Sequence, residues 1–166
     1  VALRFANIAN GVSRKHGEVA NTMWAGHENI CKIISITNAQ NRRFWADREL
    51  YNAVESKDDE ALRERKCQMK ESLFELVADQ TGQLFDKNVL TIVWARRFAA
   101  YKRADLVTTD PERFQELLTN KKRPVQIIWA GKPYPMDYNA ISAFNHLVHL
   151  SKKNTNIAVL VGYELK

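Results

Sequence analysis

The sequence predicts an α/β fold, in which a three-stranded parallel sheet of β-α-β-α-β topology follows a mainly helical segment. Three short apolar runs rich in β-branched residues are typical of strands covered on both faces: "NVLTIVWA" (88–95), "PVQIIWAG" (124–131) and "NIAVLVGY" (156–163). Helical patterns separate them, and such alternation requires parallel strands with right-handed crossovers. We therefore divide the chain into a helical segment, 1–87, and an incomplete Rossmann-like half-domain, 88–166, whose sheet we expect to continue in a longer protein.

Within the first segment, residues 1–24 have apolar spacings that mostly fit a helical face and allow a loop around Asn10–Gly11. A short strand-like run at 33–36 follows. The pattern from Asp47 to Gln80 is again helical, and Gly82 is its expected stop.

Two crossover helices are predicted between the strands of the half-domain. Asp110 and Pro111 mark the start of the first, because Asp is a good N-cap and Pro suits the first helical turn. Apolar residues at helical spacing over 141–150 predict the second.

The composition is that of a soluble globular protein, with 45% hydrophobic and 27% charged residues in 166. No apolar run is long enough to span a membrane, and the N-terminus lacks a secretory signal, so we expect a cytoplasmic protein with no membrane partner. Cys31 and Cys67 are expected to be reduced thiols. The missing initiator Met indicates a piece of a longer polypeptide. A net charge of +6 favours an anionic partner.

The segments that follow the first two predicted strands, "RRFAAYKR" (96–103) and "KPYP" (132–135), are the expected ligand loops. Ligands of open parallel sheets bind beyond the carboxyl ends of the strands. The first turn has no glycine, which excludes a dinucleotide-binding turn; Gln126 and Pro133 exclude a P-loop around Lys132. Phosphate recognition here must therefore come from Arg and Lys side chains.

The cations of the first turn have a second interpretation as a solvated rim. Because Arg96 and Arg97 directly follow a predicted buried strand, we expect at least one guanidinium to be partly desolvated, which is costly without an anion. His146 and His149 have helical spacing but no nearby third ligand, so we predict no metal site.

Four segments together resemble a known family: "ANGVSRKHGEV" (9–19), "ITNAQNRRFW" (36–45), "ARRFAAYKR" (95–103) and "VQIIWAGKPYP" (125–135). In order and approximate spacing they are similar to the α-glucan phosphorylases of glycogen, starch and maltodextrin, most of all the bacterial branch. The resemblance implies the GT-B fold, with two Rossmann-like domains facing across a cleft. It also implies cleavage of terminal α-1,4-glucosyl units by inorganic phosphate, with retention, to give glucose 1-phosphate.

Carried over residue by residue, the resemblance implies a phosphate site. Arg97 and Lys102 fall on the phosphate-binding, catalytic basic pair of the family, and Arg96 falls where another cation lies beside them. Inorganic phosphate must approach the phosphate of pyridoxal phosphate in this chemistry, and two close dianions repel strongly unless cations lie nearby.

The resemblance also implies residues that face the sugar. Tyr101 matches a tyrosine that contacts the glucosyl unit at the cleaved bond, and Asn38, in the glucan-site loop 36–45, matches an asparagine that hydrogen-bonds it. His16 and Glu18 match a helix near the cleft, and Lys132 is a further candidate cleft residue.

The resemblance implies pyridoxal phosphate as cofactor, whose phosphate donates and accepts a proton. In the family the cofactor lysine belongs to a Gly-rich motif beyond the third strand, so the resemblance implies that this chain alone is inactive. Residues 39–41 depart from the family pattern, which leaves sugar specificity open. The implied partners are α-1,4-glucan or maltodextrin and inorganic phosphate. A homodimer is one assembly that the resemblance allows for the full-length protein.

Two other functions stay open at this point. A GT-B glycosyltransferase that uses a sugar nucleotide would direct the same cations at a diphosphate. A basic nucleic-acid-binding module would need exposed base-stacking aromatics, whereas Trp94 and Trp129 lie within apolar strand runs, which indicates packing. We expect no nucleic acid partner.

Overall fold

A computed structural model of the chain describes residues 1–162, so the last residue of the third predicted strand run, Tyr163, lies outside it. The chain forms two compact units, Val1–Ala46 and Asp47–Lys166. The first contains α1 (Ala2–Phe5), β1 (Ile8–Gly11), α2 (Arg14–Trp24), β2 (Lys32–Ser35) and α3 (Arg42–Trp45). The second contains α4 (Arg48–Ser56), α5 (Asp59–Thr81), β3 (Leu90–Ala95), α6 (Pro111–Thr119), β4 (Val125–Gly131), α7 (Tyr138–Lys153) and β5 (Ile157–Val161).

The first unit is a small β-α-β arrangement in which β1 pairs in parallel with β2. The strand-like run at 33–36 is thus confirmed as β2, but the helical interpretation of residues 1–24 is wrong over β1. Packing explains the error. A Cβ on Gly11 would lie 2.5 Å from the backbone nitrogen of Gly17, and one on Gly17 would lie 2.1 Å from Ser35 Oγ. The two glycines therefore let α2 lie directly on the strands.

The helical pattern from Asp47 to Gln80 is two helices, α4 and α5. Lys57 ends α4 in the left-handed conformation, with φ 56°, and the Asp58 side chain caps α5 by accepting a hydrogen bond from the Ala61 N–H. Gly82 is confirmed as the stop of α5, with φ 72°. An Asp cap inside a continuous helical pattern is the signal for this break.

We expect Lys57→Gly to raise the free energy of unfolding by about 0.5 kcal/mol. Glycine removes the roughly 1 kcal/mol that a left-handed L-residue costs, and loses part of that gain to the greater freedom of the unfolded chain. Lys66→Gly, at an exposed position inside α5, is the control and should lower stability by about 1 kcal/mol. Urea unfolding curves of the two variants should shift in opposite directions.

An ion pair joins α4 to α5. Arg65 donates from Nε and Nη2 to the two carboxylate oxygens of Asp47, at 3.1 and 2.7 Å, while Asp47 also accepts from the Leu50 N–H at the start of α4. The Arg65 hydrogen bonds, followed by that of Leu50, lower the pKa of Asp47 from 3.8 to about 2. The charged form of Asp47 therefore stabilises the helical hairpin.

This pKa shift predicts an acid-sensitive part of the stability. A carboxylate with a lowered pKa contributes stability above its unfolded pKa of 3.8, and the contribution is lost as the pH falls through about 2. Wild-type protein should lose more free energy of unfolding than Asp47→Asn between about pH 5 and about pH 2. Equal losses in denaturant titrations at both pH values would contradict the assignment.

The second unit contains the predicted three-stranded parallel sheet, in the order β3-β4-β5. The central strand β4 is buried along its whole length. Phe74 and Val77 of α5 pack on one face of the sheet, and Phe114 of α6 and Leu147 of α7 belong to the core on the other. The helices thereby cover β4 and most of β5 from both sides.

The strand β3 is less covered than the sequence predicts. Leu90, Ile92 and Val93 are 63%, 41% and 47% exposed, so the expectation that this strand is covered on both faces is wrong. The reason is its position. β3 forms one edge of the sheet and pairs only with β4 within the described residues.

Both crossover helices are confirmed. Asp110 caps α6 by accepting from the Arg113 N–H at 3.1 Å, with Pro111 in the first turn, and Asp137 caps α7 by accepting from the Ala140 N–H at 3.0 Å. Among residues 1–162, no helix combines the length and apolar character that crossing a membrane requires.

Candidate functional site

The carboxyl ends of the three strands of the second unit are joined by backbone hydrogen bonds. The Arg96 N–H donates to Ala130 O at 3.0 Å, and the Phe98 N–H donates to Lys132 O at 3.2 Å. The Gly162 N–H in turn donates to Gly131 O at 3.2 Å. The first predicted ligand loop, the second one and the end of β5 therefore lie side by side at one edge of the sheet.

Gly131 makes this close approach possible. A Cβ at this position would lie 2.0 Å from the carbonyl oxygen of Arg96 and 3.2 Å from the ring of Phe98. Any side chain would therefore push β4 away from the turn that follows β3. The sequence singles out this glycine only as part of a failed P-loop pattern, because its contact with Arg96 depends on the sheet register.

The turn after β3 is anchored by Phe98 and exposes Tyr101. Phe98 is 2% exposed and lies with ring centroids 4.8 Å from Trp94 and 5.0 Å from Phe144. A 3-10 turn, Ala100–Lys102, follows, and it leaves Tyr101 69% exposed. Lys102 Nζ lies 4.8 Å from the Tyr101 ring centroid, within the range of a cation–π contact.

The cations at this edge have no acidic partners among residues 1–162. Arg96, Arg97, Lys102 and Lys132 make no ion pair with any described carboxylate. Four unneutralised charges at one edge generate a positive potential that attracts anions.

The burial of these cations differs from the expectation. Arg96 and Arg97 are both exposed, so the expectation of a partly desolvated guanidinium is wrong, and the half-buried cation is instead Lys102. The cause is the edge position of β3, which opens to solvent where the sequence predicts cover. Arg103, to which the resemblance gives no role, is exposed as well.

Lys132 extends over the end of β5. A Cβ on Gly162 would lie 3.3 Å from Lys132 Cε and 3.8 Å from its Nζ, and Gly162 has φ +88°. The absence of a side chain there leaves room for the ammonium group. Lys132 is thus placed by the same edge as the Arg96–Lys102 turn.

Asn38 and the predicted glucan-site loop 36–45 belong to the first unit. Asn38 is exposed and its N–H donates to Val12 O at 3.0 Å, which fixes the start of the loop. At the loop end, Phe44 and Trp45 are about half exposed, in an edge-to-face pair with ring centroids 4.8 Å apart. Exposed aromatic rings in a loop that also carries a polar amide are compatible with carbohydrate, and the role of the loop stays a prediction.

His16 and Glu18, also in the first unit, have local partners. His16 Nδ1 accepts from the Val12 N–H at 3.1 Å. The backbone N–H of His16 donates to Ser13 Oγ at 3.1 Å, and Ser13 thereby caps α2. Glu18 pairs with Lys15 at 3.4 Å on an exposed surface. These contacts give His16 a structural role at the start of α2, and the assignment of both residues to a cleft stays a prediction.

Two residues that the sequence assigns to packing have polar contacts at the site. Trp94 Nε1–H donates to Lys102 O at 3.3 Å, and Trp129 Nε1–H donates to Ala104 O at 2.8 Å. The sequence signal for these contacts is the repeated "WA" near the end of two successive strand runs. It places two indoles at matching positions of neighbouring strands.

The described residues contain no cluster of three or more His, Cys, Asp and Glu side chains suited to a metal ion, and Cys31 and Cys67 are free thiols.

Comparison with known proteins finds relatives but no matching family model. An uncharacterized protein of Methanocaldococcus jannaschii is 49% identical over 99% of this chain and 31% of its own length. A glycogen phosphorylase of Aquifex aeolicus is 32% identical over 92% of this chain and 28% of its own length. A maltodextrin phosphorylase of Thermococcus litoralis is 30% identical over 82% of this chain and 21% of its own length. The chain thus spans between a fifth and a third of the length of these relatives.

Proposed function

Because the chain belongs by sequence to the glycogen and maltodextrin phosphorylase family, of whose members it spans a segment, we propose that the full-length protein is an α-glucan phosphorylase. Its substrates are α-1,4-glucan or maltodextrin and inorganic phosphate. In this proposal residues 88–166 are the first part of the C-terminal Rossmann-like domain of a GT-B enzyme, which works in the cytoplasm.

One observation carries the proposal beyond the family relationship. Arg96, Arg97, Lys102 and Lys132 lie at the carboxyl edge of a parallel sheet, beside an exposed tyrosine, and make no ion pair with a carboxylate of residues 1–162. A cationic edge of this kind suits a small dianion, and Tyr101 offers an aromatic face and a hydroxyl to a sugar. The combination matches a reaction between phosphate and a glycosyl unit.

In the proposed reaction the bond between C1 of the terminal glucosyl unit and the leaving O4 breaks. A phosphate oxygen bonds to C1 with retention of configuration, and O4 takes a proton. Arg97 and Lys102 bind and orient the phosphate, and Arg96 adds charge that stabilises the transferring group. Tyr101 contacts the glucosyl unit at the cleaved bond, and Lys132 is a further candidate cleft residue. Asn38, His16 and Glu18 of the first unit keep the roles that the family resemblance implies for them.

The same cations fit the implied cofactor. The phosphate of a pyridoxal phosphate group and inorganic phosphate repel each other at close range, and unneutralised guanidinium and ammonium groups lower that cost. When bound, the cofactor supplies a phosphate group that donates and accepts the proton. We assign none of the lysines of this chain to the covalent link, and the residues named here act on inorganic phosphate.

The decisive experiment uses the full-length protein that contains this chain. We expect phosphate-dependent release of glucose 1-phosphate from maltodextrin, together with the visible absorbance of bound pyridoxal phosphate. Cofactor-loaded protein without this activity would overturn the proposal. Glycosyl transfer from a sugar nucleotide without such absorbance would instead indicate a glycosyltransferase.

A further inference from the structure

We infer that Trp94 and Trp129 are positioning residues that hold the Tyr101–Lys102 turn in the geometry that binds phosphate. This inference rests on the proposed role of Lys102 in phosphate binding. It assigns a function to two side chains that, by sequence, belong to the apolar interior of the sheet.

The two indoles are neighbours in the sheet. Trp94 of β3 and Trp129 of β4 occupy matching positions in the parallel register, so their side chains leave the sheet on the same face. Both bind the turn that crosses that face, Trp94 through Lys102 O at 3.3 Å and Trp129 through Ala104 O at 2.8 Å. The rigid strands thus carry two fixed donors beneath the turn.

The two indoles bind carbonyls that the backbone hydrogen bonds of the turn do not use. The Arg103 carbonyl accepts from the Leu106 N–H at 3.2 Å, whereas the carbonyls of Lys102 and Ala104, on either side of it, accept from the indoles. Arg103 also has φ +50°, a conformation that L-residues adopt at a cost. Two indole hydrogen bonds therefore bracket the one strained residue of the turn.

Lys102 is the residue whose position depends on these indole hydrogen bonds. Its backbone carbonyl accepts from Trp94, the residue as a whole is half-buried, and its ammonium lies over the Tyr101 ring. If the carbonyl were free, the turn could relax around Arg103 and the ammonium would spend less time facing the anion. The affinity for phosphate should fall even though no group that touches phosphate has been removed.

The test replaces each indole with phenylalanine, which keeps an aromatic ring and removes the N–H. Inorganic phosphate is titrated into the protein and followed by the backbone amide signals of residues 96–103. We expect Trp94→Phe and Trp129→Phe each to weaken phosphate binding by up to about fivefold, because losing one ordinary hydrogen bond lowers the share of molecules whose turn has the binding geometry by at most about that factor. Phe114→Leu is the matched control, because Phe114 is buried in the same core and makes no hydrogen bond to the turn. It should leave phosphate affinity unchanged.

A double variant separates positioning from general loss of structure. In a Lys102→Ala background, Trp94→Phe should cause no further loss of phosphate affinity, because the indole acts through Lys102. Wild-type affinity in both phenylalanine variants, a fivefold loss in Phe114→Leu, or an additive loss in the double variant would overturn the inference. If Trp129→Phe does not fold, Trp94→Phe decides alone.

Failure of the positioning role and failure of the proposed enzyme activity give different results. Phosphate binding that depends on Lys102 and the indoles, in a full-length protein that releases no glucose 1-phosphate, would support the positioning role and overturn the phosphorylase. Wild-type protein that binds no phosphate through Lys102 would overturn the positioning role.

Discussion

Lys102→Ala is expected to lower the phosphate-dependent activity of the full-length protein about a hundredfold. The loss of a single group that stabilises developing charge has an effect of this size. Lys102 is the half-buried cation at the carboxyl edge of the sheet, and no described carboxylate neutralises it. A charged hydrogen bond to phosphate is worth about 1.5–3 kcal/mol, so the dissociation constant for inorganic phosphate should rise at least about tenfold. Initial rates at varied phosphate concentration measure the loss of activity, and titration with inorganic phosphate measures the dissociation constant.

Lys121→Ala is the matched control. Lys121 is exposed in the loop before β4, at the opposite end of that strand from the proposed site, and its removal changes the net charge by the same amount. It should alter neither phosphate affinity nor the rate by more than about twofold, the size expected of a screened surface charge. If both variants lose the same phosphate affinity, the cations form a solvated rim and the site assignment fails.

The parallel sheet could be predicted because its signal is local. Each of β3, β4 and β5 is a short apolar run, and each crossover helix begins at an Asp that caps its own first turn. The strand β1 could not be predicted in the same way. Its pairing depends on the contact between Gly11 and Gly17, which are close only after α2 has packed on the sheet.

Exposure was harder to predict than secondary structure. The apolar run of β3 is as continuous as that of β4, yet within residues 1–162 only β4 has a strand on each side. Which strand lies in the centre depends on sheet order, and no apolar pattern within one strand encodes that order. The error about Arg96 and Arg97 follows from this one, because their burial was inferred from that of β3.

The candidate site likewise combines contacts within one segment, which the sequence predicts, with contacts between distant segments, which it does not. Arg96, Arg97, Tyr101 and Lys102 occupy one contiguous segment, so their proximity was predictable from the sequence alone. The placement of Lys132 beside Gly162, and the support of the turn by two indoles, join segments far apart in the chain. Such contacts follow from strand register, which the sequence does not specify residue by residue.

Gly131→Ala tests that register and should be among the most destabilising single substitutions in the second unit. The new Cβ would lie 2.0 Å from the carbonyl oxygen of Arg96, and because the backbone of a paired sheet fixes the positions of both atoms, no side-chain rotation can relieve the clash. Forcing β3 and β4 apart breaks the hydrogen bond from the Arg96 N–H to Ala130 O and shifts the turn that carries Lys102. We expect a loss of about 3 kcal/mol or more in the free energy of unfolding.

Gly26→Ala is the control, because a Cβ at Gly26 would meet no atom within 4 Å. It should leave the free energy of unfolding unchanged or raise it by up to about 1 kcal/mol, through reduced freedom of the unfolded chain. Urea unfolding compares the two variants, and the amide signals of residues 96–103 report the turn. A Gly131→Ala protein with wild-type stability and unshifted turn signals would show that the ends of β3 and β4 can separate without cost. The positions of Arg96 and Lys102 would then not depend on the close approach at Gly131.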